Sequence, residues 1–268
     1  MSKLTNLLRR AKRYLFPKPT PPAYISQDIL IQQAVDFFNI PVEIVQALYR
    51  DYKKFHQEQQ YEQNLGERKT LSFEEAFLLY LVTLLVQPRN LVEIGTQYGK
   101  STRRIIDILH FAGMNSCKVL CFDIVDQVQF FTPEEARLEL HDVTKDFREY
   151  VLDKLKPELI FLDARPYPLL KNVIAEYLDW TKTNPAILAI HDCSARLFNP
   201  RMRIKMDKTE KITSRSGVWE RHVLSELFKV PQKKLDDTDS LTHRLKIFQT
   251  PHGLALILPK CLESRRIE

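Results

Sequence analysis

The chain has 268 residues, 44% hydrophobic and 28% charged, enough to bury one full core as a soluble globular protein. Its net charge is +6, and residues 1–27 hold six cations (Lys3, Arg9, Arg10, Lys12, Arg13 and Lys18) and no acid. The rest is near neutral, which excludes the basic footprint of a nucleic-acid-binding fold and leaves a basic tail that touches anionic membrane or stays solvated.

In chain order, residues 4–16 place Leu4, Leu7, Leu8, Ala11 and Leu15 at helical spacing among the basic residues. This predicts a basic amphipathic helix, with weak peripheral membrane contact through residues 1–16. Pro17, Pro19, Pro21 and Pro22 mark a linker, so 1–22 is read as tail and linker. Residues 27–64 read as two helices, with Pro41 in the first turn of the second. Residues 72–87 read as a third, opened by Ser72 with Glu74 and Glu75 in its first turn. Together they define a helical cap over 23–88. The longest apolar run, 76–86, is too short to span a bilayer.

From residue 89 to 262 the pattern alternates. Strands are predicted at 91–94, 118–124, 136–143, 159–162 and 186–190, and helices at 101–112 and 169–182. This predicts an α/β fold with a parallel sheet covered on both faces. After a polar stretch near 195–215 come a helix at 218–228 and strands at 244–248 and 254–258. The latter flank Pro251-His252-Gly253 and read as an antiparallel hairpin. Cys117, Cys121, Cys193 and Cys261 match neither a zinc spacing nor a small disulfide framework, so a reducing, cytoplasmic compartment is expected.

The strongest motif is Val92-Glu93-Ile94-Gly95-Thr96-Gln97-Tyr98-Gly99-Lys100-Ser101, between a strand and a helix. Only six glycines occur in the chain, and two of them stand four positions apart here. Glycines at such a junction let the backbone turn and approach a ligand. A nucleotide P-loop would need one more residue between them, and a dinucleotide fingerprint would need a middle glycine.

The Glu-x-Gly-x-x-x-Gly pattern resembles the class I methyltransferases related to catechol-type and macrolide-sugar O-methyltransferases, including the cephalosporin-hydroxylase-like branch. The likeness covers roughly residues 70–260. It implies a Rossmann-like methyltransferase sheet, closed by the C-terminal antiparallel hairpin and preceded by the N-terminal helical extension. It also implies S-adenosylmethionine, bound by Glu93, Gly95, Thr96, Gln97, Tyr98, Gly99 and Ser101. Asp123 matches the acid that holds the ribose hydroxyls, and Asp142, after His141, the contact to the adenine amino group. Asp163, His191 and Asp192 match positions that hold a divalent metal, Mg2+ or Mn2+, with Asp163 and His191 as candidate catalytic groups.

The pattern departs from these relatives at two places. Arg165-Pro166 replaces a second acid and a histidine, and Asn184-Pro185 replaces a Gly-Gly pair. The sequence therefore supports O-methylation of a hydroxyl on a sugar or other small metabolite. It leaves open a binding or scaffold protein that keeps the fold without turnover. The expected partner is a small-molecule or glycan acceptor and no nucleic acid.

Overall fold

A computed structural model describes residues 25–65, 71–195 and 219–262. The expected tail helix, the proline linker, Gly217, Val218 and all but the first residue of the polar stretch lie outside them. Among the described residues no helix is long and apolar enough to cross a membrane.

Among the described residues four helices precede the first strand: α1 (Gln27–Phe38), α2 (Val42–Glu58), a short α3 (Tyr61–Leu65) and α4 (Phe73–Val86). Pro41 is the N-cap of α2. Ser72 caps α4 as expected, and the cap is reciprocal: the Ser72 hydroxyl accepts from the Glu75 N–H while the Glu75 carboxylate accepts from the Ser72 N–H. Helix α4 is buried almost all round because α2 and the helix α5 (Lys100–Phe111) pack against it and it lies on the sheet.

An eight-stranded sheet follows, in the order β3-β2-β1-β4-β5-β8-β7-β6. Strands β1 (Asn90–Ile94), β2 (Lys118–Asp123), β3 (Arg137–Leu140), β4 (Leu159–Leu162) and β5 (Ile187–Ile190) run parallel. Strand β8 (Leu254–Pro259) lies antiparallel to β5, and β7 (His243–Phe248) antiparallel to β8. This is the parallel α/β sheet closed by a C-terminal antiparallel hairpin that the sequence suggested. An edge strand, β6 (Asp237–Asp239), was not foreseen. Its two acids are poor strand formers, yet Thr238 is buried and Asp237 pairs with Lys246 across the ladder at 2.6 Å.

Alternate residues of each strand enter different cores. Leu91, Leu159, Ile187 and Leu256 face α1, α2, α4 and α5 (Lys100–Phe111), whereas Val92, Ile160, Leu188 and Ile257 face α6 (Tyr167–Trp180) and α7 (Glu220–Leu227). The helices before β1 thus share one core with the sheet. Strand β3 stops at Leu140 rather than reaching 143, because Asp142 starts a turn by accepting the Thr144 N–H at 3.0 Å.

Register sets the site. Ile94 pairs with both Phe122 and Leu162, and Leu162 with Ile190, so these strands end level. The next residues stay laced across that edge. The Gly95 N–H donates to the Phe122 carbonyl at 2.9 Å, Asp163 to Ile94 at 2.9 Å and His191 to Leu162 at 3.0 Å. Gly95, Asp163 and His191 therefore follow neighbouring strand ends along the carboxyl edge, where ligands bind in open α/β sheets.

Candidate active site

The glycine loop is fixed from below by Glu93. This carboxylate is fully buried, accepts the Ser101 hydroxyl at 2.5 Å and also takes the Thr102 hydroxyl. Burial pushes its pKa up to about 7, against the hydroxyl hydrogen bonds that lower it. The side chains of Glu93, Thr96 and Ser101, all expected from the sequence to bind cofactor, are buried beneath the loop and shape it.

Gln97 and Tyr98 are exposed on the loop and Gly95 is half-buried, whereas Gly99 is buried beside Phe131. Gly95 and Gly99 have φ of +92° and +81°, and Gln97 reaches +49° without being glycine. Gly99 is the N-cap of α5 and supplies no side-chain hydrogen bond, which leaves the first amides of a 12-residue helix for an anionic group. The Gln97 N–H donates to Asp123 Oδ2 at 2.7 Å, and Asp123 Oδ1 accepts from Ile124 and Val125 at 2.7 and 3.3 Å. Loop and acid are thereby held together before any ligand arrives.

Two apolar residues beside Asp123 had not been singled out. Ile124 is 64% and Leu140 59% exposed, although both adjoin strand ends. They offer a flat apolar surface that a purine can cover. Asp142 is exposed, and hydrogen bonds from Thr144 lower its pKa. His141 turns away to Asp146 at 2.8 Å and stacks on Tyr150, with ring centroids 4.5 Å apart.

On the other side of the loop Asp163, His191 and Asp192 converge. Neighbours on a strand point to opposite faces, but β5 has ended and Asp192 adopts φ +61°, so both residues turn to one side. His191 Nδ1 lies 3.2 Å from Asp163 Oδ2 and 3.7 Å from Asp192 Oδ1. Its Nε2 lies 3.3 Å from Glu75 Oε2. Burial alone would lower the pKa of this ring, but Asp163 and Glu75 raise it well above the ordinary value. The two flanking carboxylates thus favour the protonated ring. Burial also tends to raise the Asp163 pKa, yet His191 and Arg165 bring it below normal.

Arg165 forms an ion pair with Asp192 Oδ2. Behind it stands Glu220, 3% exposed, whose Oε2 has no hydrogen-bond partner. Burial pushes its pKa up to about 8, with Asp192 adding to the rise and Arg165 opposing it. Neither Glu75 nor Glu220 was a sequence candidate. Both sit at helix starts, where an acid is already explained by the helix dipole.

The donor set fits a divalent cation. One atom each of Asp163, His191 and Asp192 lie within 4.8 Å of one another, and Asp192 Oδ1 stays free of Arg165. Such an ion would need the His191 proton removed.

No protein-family profile and no curated protein matches the chain. Among solved structures it is similar to an O-methyltransferase from Bacillus cereus in complex with SAH (11% identity over 86% of this chain and 97% of that one, TM-score 0.43). It is similar also to an SAH-bound methyltransferase from Podospora anserina (11%, 91% and 100%, TM-score 0.43). A third is the O-methyltransferase TomG from Streptomyces achromogenes in complex with SAM (14%, 97% and 99%, TM-score 0.39).

Proposed function

We propose that the chain is an S-adenosylmethionine-dependent methyltransferase that methylates a hydroxyl of a small-molecule or glycan acceptor. The observation that carries this is the bond from the Gln97 N–H to Asp123, which holds a glycine loop, an open helix N-terminus and a strand-end acid as one surface. The methionine carboxylate would lie at the start of α5, the ribose hydroxyls at Asp123, and the base on Ile124 and Leu140 with its amino group toward Asp142. Residues 89–262 would form this cofactor-binding unit, with 23–88 as its cap.

Methyl transfer breaks the S–CH3 bond, forms an O–CH3 bond and releases the hydroxyl proton. Asp163, one third exposed and ionised, stands where that proton can leave. Asp163, His191 and Asp192 would hold Mg2+ or Mn2+, and an ion bound there lowers the pKa of an acceptor hydroxyl. Arg165 pairs with Asp192 Oδ2 and would compete with such an ion for that carboxylate.

Calorimetry with S-adenosylmethionine should give one site per chain, and labelled methyl should pass to a phenolic or glycan acceptor with Mg2+ and not with chelator. No binding to the wild-type chain refutes the cofactor reading; equal transfer in chelator refutes the metal alone. The Arg165–Asp192 pair favours a second reading, a fold that binds cofactor without turnover, marked by binding with no transfer to any acceptor of a broad panel. Four free cysteines suit a reducing, cytoplasmic setting, and residues 1–16 would add weak membrane contact.

A further inference from the structure

Glu75 does more than cap α4. It is fully buried, and its Oε1 accepts the Thr250 hydroxyl at 2.7 Å, the His252 N–H at 2.9 Å and the Gly253 N–H at 3.1 Å. Its Oε2 accepts the Ser72 N–H at 2.8 Å and faces two imidazoles, His191 Nε2 at 3.3 Å and His252 Nδ1 at 3.2 Å. The ring centroids of the histidines are 5.0 Å apart. One carboxylate oxygen and two imidazole nitrogens therefore converge from three segments: the start of α4, the end of β5 and the β7–β8 turn.

We propose that Glu75 Oε2, His191 Nε2 and His252 Nδ1 form a zinc site. Zinc bonds of about 2.0–2.1 Å at tetrahedral angles place ligand atoms roughly 3.3–3.4 Å apart, close to the oxygen–nitrogen separations already present. Two imidazoles and one carboxylate suit zinc and disfavour magnesium. The supporting shell is built: three donors on Oε1 stop Glu75 from swinging, and Asp163 stands 3.2 Å from the far nitrogen of His191, where it can accept a hydrogen bond from that N–H. The side chain of His252 is 38% exposed, which gives the ion an entry path and room for water as fourth ligand.

The site is distinct from the oxygen-rich set of Asp163 and Asp192, but both use His191. A neutral imidazole has one lone pair to give, so an ion on Nε2 leaves Nδ1 protonated and denies that nitrogen to the other set. The proposal stands whether or not the oxygen-rich set binds a metal.

The test is zinc titration of the full chain, followed by calorimetry and thermal unfolding. One site tighter than about 1 μM is expected. Glu75→Gln and His252→Ala should each weaken it at least about 100-fold, beyond the usual loss of a supporting-shell residue. The double variant Asp163→Asn/Asp192→Asn should keep the site and lose clearly less than about 100-fold, since it alters only the outer hydrogen bond on His191. X-ray absorption of the zinc-loaded wild-type chain needs no variant and should show two imidazoles and oxygen ligands. Zinc lost in the double variant and unaffected by His252→Ala, or no zinc bound above surface-histidine strength, overturns the site.

Discussion

Gly95 touches the backbone of Asp163: a Cβ on Gly95 would stand 2.2 Å from the Asp163 carbonyl oxygen. The cofactor loop and the acceptor side of the site are thus in direct backbone contact. Gly95→Ala should abolish S-adenosylmethionine binding in calorimetry and lower the melting temperature, since backbone cannot yield as a side chain can. Gly99→Ala meets only the Phe131 ring, at 2.7 Å, and should be milder. Pairing it with Phe131→Ala should recover part of the loss, with the cost of the positive φ left over. Unchanged affinity in Gly95→Ala would show that the ligand does not use this loop.

Asp123→Ala removes the proposed ribose acceptor and frees the Gln97 N–H. Cofactor affinity should drop by about 1.5–3 kcal/mol, the range for hydrogen bonds to a charged group. The Gln97 and Tyr98 amides should exchange faster with solvent even without ligand. A loss below a few tenths of a kcal/mol would place the ribose elsewhere.

Arg165→Gln releases Asp192 Oδ2 and removes a cation from beside the donor set. Mn2+ affinity, followed by electron paramagnetic resonance, should rise by up to about tenfold, or 1.4 kcal/mol. Weaker Mn2+ binding would mean that the guanidinium is needed to aim Asp192 and does not compete with the ion.

Glu220 should leave a signature in stability against pH. Its folded pKa, about 8, lies above the ordinary 4.5 because burial disfavours the anion. The native state therefore holds the proton more tightly, and this group lowers stability progressively as pH rises from about 4.5 to about 8. The full shift corresponds to an upper bound of about 5 kcal/mol. Denaturant titrations should find Glu220→Gln gaining on wild type through that window and level above it. Parallel curves would show that Glu220 is not buried as an acid.

Much of this was legible in the chain. Leu91–Ile94 and Leu159–Leu162 are bounded apolar runs, and their strands fall on those residues. The loop from Glu93 to Gly99 announces itself by two rare glycines after a strand. Glu75 was legible only as an acid in the first turn of a helix, because the helix dipole already accounts for it. Its other partners, Thr250 and His252, lie 175 and 177 positions away and carry no local signal. Ile124 read as the last residue of a strand; only the register, which pairs Asp123 with Leu140, exposes both apolar neighbours. The pairing of His191 with Asp192 on one side hangs on a left-handed Asp192, which the identity of the residue does not foretell.

Strand β8 sits in the interior of the sheet, between β5 and β7, and every residue of it is buried. Its partner β5 is made much earlier in the chain, with Leu188–Ile190 waiting for residues 255–257. Until then the fully apolar β5 has an open hydrogen-bonding edge, a template for pairing with another chain. The parallel strands cannot be sealed while the ribosome is still making residue 240, so closure of this edge waits for residues 254–259. A stop codon shortly before β8 would leave a sticky aggregate in place of a smaller folded domain.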